Sequence, residues 1–217
     1  MYDDRSIGLV GTQTATDGQF IVQRMSRDAC QVTQAGHAHY QEAALRGNVF
    51  IAANQANTAL TAAGVGTGII TGFSLYNPIA SGKNAVIWNT APCIIGTGIG
   101  AQLSAIGLIT GTYTGVAAPT GTTTLPIKNA IVAPATTNVC VAYSTATYVG
   151  TPAFLTFLQQ YEINTSTNNT LVTTPIIDTL DGAVIIPPGQ FVGIANTVSG
   201  GLQVMMISMA WEEIPTS

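Results

Sequence analysis

The residues of this chain that could do chemistry are few, and they lie in its two terminal segments. His37 and His39 are two residues apart, a spacing that places both imidazoles on one face of a strand and could hold a metal ion. Asp178 and Asp181 lie beside Gly182 and could contribute to a calcium site. A zinc site needs about four ligands, and a calcium site needs roughly six to eight oxygen atoms. The residues near these two pairs in the sequence do not supply that many. Polar arm histidines and the start of a turn are the simpler interpretations.

Catalytic and phosphate-binding motifs are also missing. The only histidines lie in the N-terminal segment, and no Gly-x-Ser-x-Gly elbow is present, so a Ser/His/Asp set is not indicated. The glycine-rich stretches 64–68 and 96–100 lack the Gly-Lys-Ser/Thr ending of a phosphate-binding loop. We therefore expect a protein that is not an enzyme and that uses no cofactor and no metal.

The distribution of charge is the most unusual property of the chain. Of 217 residues only 16 are charged, and between Arg46 and Glu162 the charged residues are Lys83 and Lys128 alone. This span cannot form the basic patch that nucleic-acid binding needs. It also lacks the interspersed charges that keep an isolated domain soluble. The sequence thus predicts a protein that covers much of its surface with copies of itself or with a larger particle.

Charge and composition also divide the chain into two parts. Residues 1–46 hold nine of the sixteen charges and few large apolar residues, which predicts an extended N-terminal arm with at most a short strand at 19–23. Residues 47–217 show no helical period, and their apolar runs are separated by Gly, Pro, Thr and Asn. The runs before the C-terminal region predict short strands at 49–53, 68–76, 85–89, 106–114, 130–132, 139–143 and 152–161. We expect an all-β, jelly-roll-like β-sandwich with an extended arm. No apolar run reaches the roughly 18 residues of a membrane helix, and the polar N-terminus is not typical of a secretory signal, so we expect no membrane partner and folding in the cytoplasm.

The C-terminal region gives the clearest structural prediction, a hairpin of strands 183–186 and 191–195 around Pro188 and Gly189, followed by a closing strand over 202–211. One face of the closing strand carries Leu202, Val204, Met206, Ser208 and Ala210, and the other Gln203, Met205, Ile207, Met209 and Trp211. A strand with one wet face alternates apolar with polar residues, but here both faces are apolar. We therefore assign the second face, with Met205, Ile207, Met209 and Trp211, to an interface between subunits.

Two stretches of the sequence resemble a known group of proteins. They are 186–195 (Ile-Pro-Pro-Gly-Gln-Phe-Val-Gly-Ile-Ala), continued by 206–213, and 72–78 (Gly-Phe-Ser-Leu-Tyr-Asn-Pro), followed by Ala85-Val86-Ile87. Together with the texture of residues 45–215, they resemble head decoration (cement) proteins of tailed bacteriophages, which have a jelly-roll β-sandwich. The resemblance implies a homotrimer at three-fold positions of the capsid, with an N-terminal arm that reaches the major capsid protein. The arm of this chain is long for such a protein, which leaves open a tail or fibre component.

The expected function is therefore that of a virion structural protein made in the host cytoplasm, which oligomerises and bridges neighbouring capsid subunits. Its arm would contact the capsid through the four arginines that lie near acidic residues: Arg5, Arg24, Arg27 and Arg46. The alternative is a receptor- or glycan-binding module of a tail or fibre, with Tyr113, Tyr143 and Tyr148 as candidate aromatic platforms.

Overall fold

The computed structural model describes residues 41–54, 58–60, 69–97, 102–111, 120–132, 137–147, 152–163, 177–197 and 203–216. These residues form one short helix and twelve strands. In chain order they are α1 (Gln41–Leu45), β1 (Val49–Ala53), β2 (Thr58–Leu60), β3 (Ile69–Tyr76), β4 (Lys83–Thr97), β5 (Gln102–Gly111), β6 (Thr120–Thr124), β7 (Ile127–Asn129), β8 (Val141–Thr147), β9 (Pro152–Ile163), β10 (Asp178–Ile186), β11 (Phe191–Asn196) and β12 (Gln203–Pro215).

The strands form two antiparallel sheets that pack as a sandwich, which confirms the predicted fold class. The first sheet has the order β10-β4-β12-β1-β7, with β2 paired to β12, and the second has the order β6-β8-β3-β11-β5-β9. Their facing sides form one hydrophobic core, with fully buried side chains from both sheets such as Phe50, Ile87, Leu75, Leu108 and Trp211. Every second residue of these strands points into the core, because successive side chains of a strand point to opposite faces of the sheet.

The long pair β4–β12 is the spine of the first sheet. Its register extends from Gln203 opposite Thr97 to Pro215 opposite Lys83, with two irregularities. The predicted strand covers 85–89 alone, whereas β4 continues through Pro92 and Gly96, two residue types that weaken a strand. Pairing with β12 carries β4 through both residues, so tertiary contacts override the local signal.

The predicted C-terminal hairpin is wrong, although its turn is correct. Gly189 has φ +81°, and the Gln190 N–H donates to the Pro187 carbonyl at 3.1 Å, as in a type II turn. However, β10 belongs to the first sheet and β11 to the second. The turn therefore connects the two layers, and the Gly189 N–H also donates to the Asn77 carbonyl at 2.7 Å. The predicted closing strand is present as β12, but it lies in the first sheet and so does not pair with β11.

Two shorter predictions also need correction. Residues 130–132, predicted as a strand, form a turn in which the Val132 N–H donates to the Asn129 carbonyl at 2.9 Å and Val132 has φ 60°. Asp181 and Gly182 do not end a strand but lie inside β10, where the pairing with β4 shifts register. The predicted strand at 19–23 and nearly all of the predicted arm lie outside the described residues.

Candidate interaction surface

The residues assigned to a subunit interface lie in the core of the chain itself. Met205, Ile207, Met209 and Trp211 are all at most 2% exposed and belong to the main hydrophobic cluster between the two sheets. Their cover is therefore the second sheet of the same molecule, and these four side chains offer no surface to a partner.

The opposite face of β12 is the one that points outward. Met206 and Ser208 are partly exposed, and Ser208 pairs with Ala53 of β1 on one side and with Ala91 of β4 on the other. Sequence analysis divides the two faces correctly, but it assigns the core face to a partner. The outward face carries uncharged side chains at these positions, and those around Ser208 are small.

Most residues of the predicted capsid-contact arm lie outside the described part of the chain. This applies to Arg5, Arg24 and Arg27, and also to the possible metal ligands His37 and His39. The remaining arginine of that set, Arg46, is exposed in the turn between α1 and β1. Its positive charge acts on Glu212 of β12, where it opposes the rise in pKa that burial of this carboxyl causes.

The possible calcium ligands are not assembled into a site. Asp178 and Asp181 lie on β10, where Asp181 is exposed and has φ 45°. Among the described residues, no group of three or more His, Cys, Asp or Glu side chains could hold a metal ion. The Asp181–Gly182 pair instead forms the irregularity at which β10 shifts its register along β4.

Among the described residues, a buried polar cluster surrounds Glu213. This residue was not predicted from the sequence to have a role. Its carboxylate is buried and accepts hydrogen bonds from the N–H groups of Val139 (2.9 and 3.0 Å) and Cys140 (3.0 Å) and from the Trp211 indole Nε1 (3.3 Å). The Lys83 ammonium forms an ion pair with the same carboxylate at 3.4 Å. Trp211 and Glu213 share one face of β12, because they are two residues apart. Five contacts from three segments satisfy the buried charge, so this cluster joins elements of the fold.

Cys140 lies beside this cluster in surroundings that disfavour its thiolate form. The thiol is buried, and burial raises its pKa far above the ordinary value, with further increases from the Glu213 charge and from a hydrogen bond to that carboxylate. Lys83 opposes these effects to a smaller extent. Since only the thiolate is reactive, the geometry argues for a structural role of Cys140.

Exposed apolar side chains are the other notable feature of the described surface. Nine large hydrophobic residues are well exposed, and they lie on both sheets and on the connections: Leu45, Ile51, Ile79, Ile131, Val132, Leu155, Phe157, Ile177 and Ile185. Leu155 and Phe157 lie close together on β9, which pairs with β5 alone among the described strands. This edge therefore presents two large apolar side chains on a strand with an open side.

An irregularity in β9 gives its aromatic residues an unusual arrangement. On a regular strand, residues that are three apart point to opposite faces of the sheet. In β9, however, Phe154 is opposite Ile109 and Phe157 is opposite Gly107. Gly107 and Ile109 are two apart on β5 and share a face, so an extra residue is accommodated in β9 between the two phenylalanines. Both rings therefore lie on the outer face of the second sheet. They stack with their centroids 5.1 Å apart and their planes at 29°.

Gly107 provides the room for this stack. A Cβ atom at this position would lie 2.7 Å from Phe154 Cδ1 and 2.7 Å from the Thr156 carbonyl oxygen. Phe154 packs on a second cluster, which contains Ile109 and Phe191, and so supports the Phe157 ring, which is 60% exposed. We call Leu155, Phe157 and the supporting Phe154 the β9 platform.

Of the three tyrosines predicted as aromatic platforms, the structure describes Tyr143. Tyr113 and Tyr148 lie outside the described residues, and Tyr143 is partly buried against the same second cluster as Phe154. The exposed ring of the described surface is instead Phe157, on a strand that sequence analysis predicted without giving this residue a role.

Comparisons with known proteins do not place the chain in a family. No protein-family model matches the chain, and no curated protein and no solved structure is significantly similar to it. The helix that the described residues form, α1, has five residues and is too short and polar to cross a membrane. Among the described residues, the exposed apolar side chains are the feature best suited to contact with another macromolecule.

Proposed function

We propose that this chain is a non-enzymatic structural protein of a bacteriophage virion, which decorates the head and stabilises it by bridging neighbouring capsid subunits. The observation that carries the proposal is the combination of an almost uncharged domain with large apolar side chains on its surface. Such a surface is a solubility liability for an isolated domain and is suited to permanent contact with other protein. The resemblance of residues 72–78 and 186–195 to head decoration proteins supports the same assignment.

The proposed mechanism is stabilisation by binding. A protein that binds the assembled shell and not its separate subunits shifts the equilibrium toward the shell, by about 2.7 kcal/mol per site at a free concentration one hundred times the dissociation constant. Self-association of the decoration protein, with a trimer as the expected state, multiplies the contacts with each shell. The arginine-bearing residues 1–46 would contribute the polar contacts with the capsid.

Phage heads that lack the protein provide the test. Purified chain added to such heads should bind to saturation in a co-sedimentation assay and should raise the temperature at which the heads release DNA. A variant that lacks residues 1–46 should keep its oligomeric state and lose binding. Absence of binding by the full chain at a large excess would refute head decoration, and full occupancy by the truncated chain would refute the role of the arm.

A second candidate function is a receptor- or glycan-binding module of a tail or fibre. The exposed Phe157 ring, stacked on Phe154, favours it because aromatic rings are common platforms for sugars. A glycan array probed with the full chain distinguishes this function from head decoration. Specific saccharide binding that Phe157→Ser abolishes would support it, and binding to heads without any saccharide binding would exclude it.

A further inference from the structure

Asp181 and Gly182 interrupt strand β10 with an unusual backbone. Asp181 has φ 45° and Gly182 has φ 82°, so two successive residues adopt positive φ angles. Such a conformation is strained for a residue with a Cβ atom, and Asp and Asn tolerate it better than most other residues. Asp-Gly is also a dipeptide that favours tight turns with two successive positive φ angles. The fold therefore holds this pair in a turn-like bulge inside a strand.

The pairing of β10 with β4 skips this bulge. The register shifts between Thr179 and Val184. Residues 180–183 occupy an interval that Trp88 alone spans on β4. Among the described strands, β10 pairs with β4 alone and so lies at the edge of its sheet. Asp181 is exposed, so the pair lies outside the regular ladder and beside solvent.

This arrangement suits an intramolecular reaction of the Asp181 side chain. The main-chain nitrogen of Gly182 attacks the Asp181 carboxyl carbon, and the amide proton leaves with the carboxyl hydroxyl as water, which closes a five-membered succinimide ring. Glycine assists because it has no Cβ atom beside the attacking nitrogen and its backbone is the least restricted. Water then opens the ring. Cleavage at the side-chain carbonyl restores aspartate, whereas cleavage at the main-chain carbonyl gives isoaspartate, in which the chain continues through Cγ.

The other Asp and Asn residues that the structure describes lack this combination, because none of them precedes a glycine. Asp178 lies on the same strand but precedes Thr179, whose branched side chain crowds the attacking nitrogen. Both of these residues are also paired with β4. A further Asp-Gly pair, Asp17-Gly18, lies outside the described residues. Sequence and backbone thus single out Asp181 within the described domain.

We propose that Asp181 is a site of spontaneous modification, at which aspartate isomerises to isoaspartate through a succinimide formed with Gly182. This inference goes beyond the proposed function and does not depend on it. Isoaspartate would add one carbon atom to the main chain between Leu180 and Val184. Both of these side chains pack against the core, so the modification should loosen the attachment of β10 to β4.

The test follows the folded full chain during several weeks of incubation. A mildly acidic pH is used, because the uncharged carboxylic acid, and not the carboxylate, loses water in the cyclisation. Mass spectrometry with electron-transfer fragmentation distinguishes isoaspartate from aspartate and detects the succinimide as a species lighter by one water molecule. Isoaspartate should accumulate at Asp181 and not at Asp178. Isomerisation of Asp181 in the urea-unfolded chain but not in the folded chain would overturn the proposal.

Thr179→Gly is the matched control, because it gives Asp178 a glycine successor in the paired part of the same strand. Thr179 is exposed, so the fold should tolerate the replacement. In the folded variant, Asp178 should isomerise several-fold more slowly than Asp181. Equal rates at the two positions would overturn the role of the bulge. If the variant does not fold, the comparison of the folded and urea-unfolded native chain still decides the question.

Two further variants connect the reaction with its consequence. Asp181→Asn should form the same succinimide faster, with loss of ammonia instead of water, and asparagine also tolerates a positive φ. Asp181→Glu should stay unmodified, because its longer side chain would have to close a less favourable six-membered ring. After incubation, the melting temperature of the native chain should fall by about 2–4 °C and that of Asp181→Glu should not. Equal decreases in the two proteins would refute the loosening of β10 by isomerisation.

Discussion

The carboxylate of Glu213 and the ammonium of Lys83 form an ion pair across the β4–β12 spine, with Oε2 and Nζ 3.4 Å apart. The two side chains differ in burial, since that of Lys83 is 28% exposed and that of Glu213 is inaccessible. The Lys83 Nζ also donates to the Thr137 carbonyl at 3.2 Å. The pair therefore connects β12, the start of β4 and the segment before β8. Removal of the buried member should matter more than removal of the exposed one.

We expect Glu213→Gln to lower the free energy of unfolding by about 2–4 kcal/mol. The amide nitrogen of glutamine would replace one carboxylate oxygen. This nitrogen is a donor and cannot accept a hydrogen bond, so it would face the N–H groups that now donate to that oxygen. Lys83→Met should cost only about 1 kcal/mol, because the three N–H donors still satisfy the carboxylate and solvent screens the lysine. Urea unfolding of both variants measures the difference. Equal losses would show that the ion pair, and not the buried N–H contacts, holds this cluster together.

The Cys140 thiol should be inert in the folded protein. Its pKa is raised by burial and by Glu213, so the reactive thiolate is scarce at neutral and mildly alkaline pH. We expect iodoacetamide to modify Cys140 only after unfolding, as followed by mass spectrometry of the labelled peptides. Cys93, which is partly exposed on β4, is the internal comparison. Modification of Cys140 at the rate of Cys93 under native conditions would contradict the structural role.

The sequence predicts the strands better than it predicts their connections. Strand β1 has the predicted bounds 49–53, and the turn at Gly189 has the expected positive φ. Both features depend on local residue types. The assignment of β10 and β11 to different sheets depends on the pairing of β10 with β4 and of β11 with β3 and β5, which no local pattern encodes.

The same distinction explains the candidate sites. Alternation divides the residues of β12 into two faces, but when both are apolar it cannot say which face meets the other sheet. Glu213 acquires its role from Lys83, 130 residues away, and from the Val139 and Cys140 N–H groups. The Phe154–Phe157 stack exists because irregular pairing with β5 changes the period of β9, and that change is a property of the pair of strands.

Glu212 should make the stability of the protein depend on pH. Burial raises its pKa, and Arg46 only partly opposes that effect. A carboxyl whose pKa is higher in the folded than in the unfolded state destabilises the fold when it is ionised, and this destabilisation disappears as the pH falls through the folded pKa. Val49 and Val86, which are paired with Glu212 in the sheet, provide no charge to compensate it.

We therefore expect Glu212→Gln to raise the melting temperature at about pH 7 and to have a smaller effect at about pH 4, where the native glutamate is largely protonated. Arg46→Gln should have the opposite sign at neutral pH, because it removes the charge that favours the ionised carboxylate. Melting curves of the three proteins between these two pH values measure the dependence. A benefit of Glu212→Gln that grows toward acidic pH would show that the carboxylate is stabilising.

Gly107→Ala should destabilise the second sheet through a steric clash. The new Cβ would lie 2.7 Å from Phe154 Cδ1 and from the Thr156 carbonyl oxygen, so the ring or the β9 backbone must move. We expect a loss of about 1–3 kcal/mol in the free energy of unfolding, the range of an overpacked core. Displacement of Phe154 would also remove the ring on which the exposed Phe157 stacks.

Gly82→Ala is the matched control for this experiment. Its Cβ would meet nothing within 4 Å, but the φ of +62° is unfavourable for alanine, so it should cost about 1 kcal/mol through the backbone alone. Gly82 lies in the turn between β3 and β4, away from the aromatic stack on β9. Unfolding curves of both variants provide the comparison. If Gly107→Ala matched the unmodified chain in stability, the close approach of β9 to β5 would not be what holds the aromatic stack.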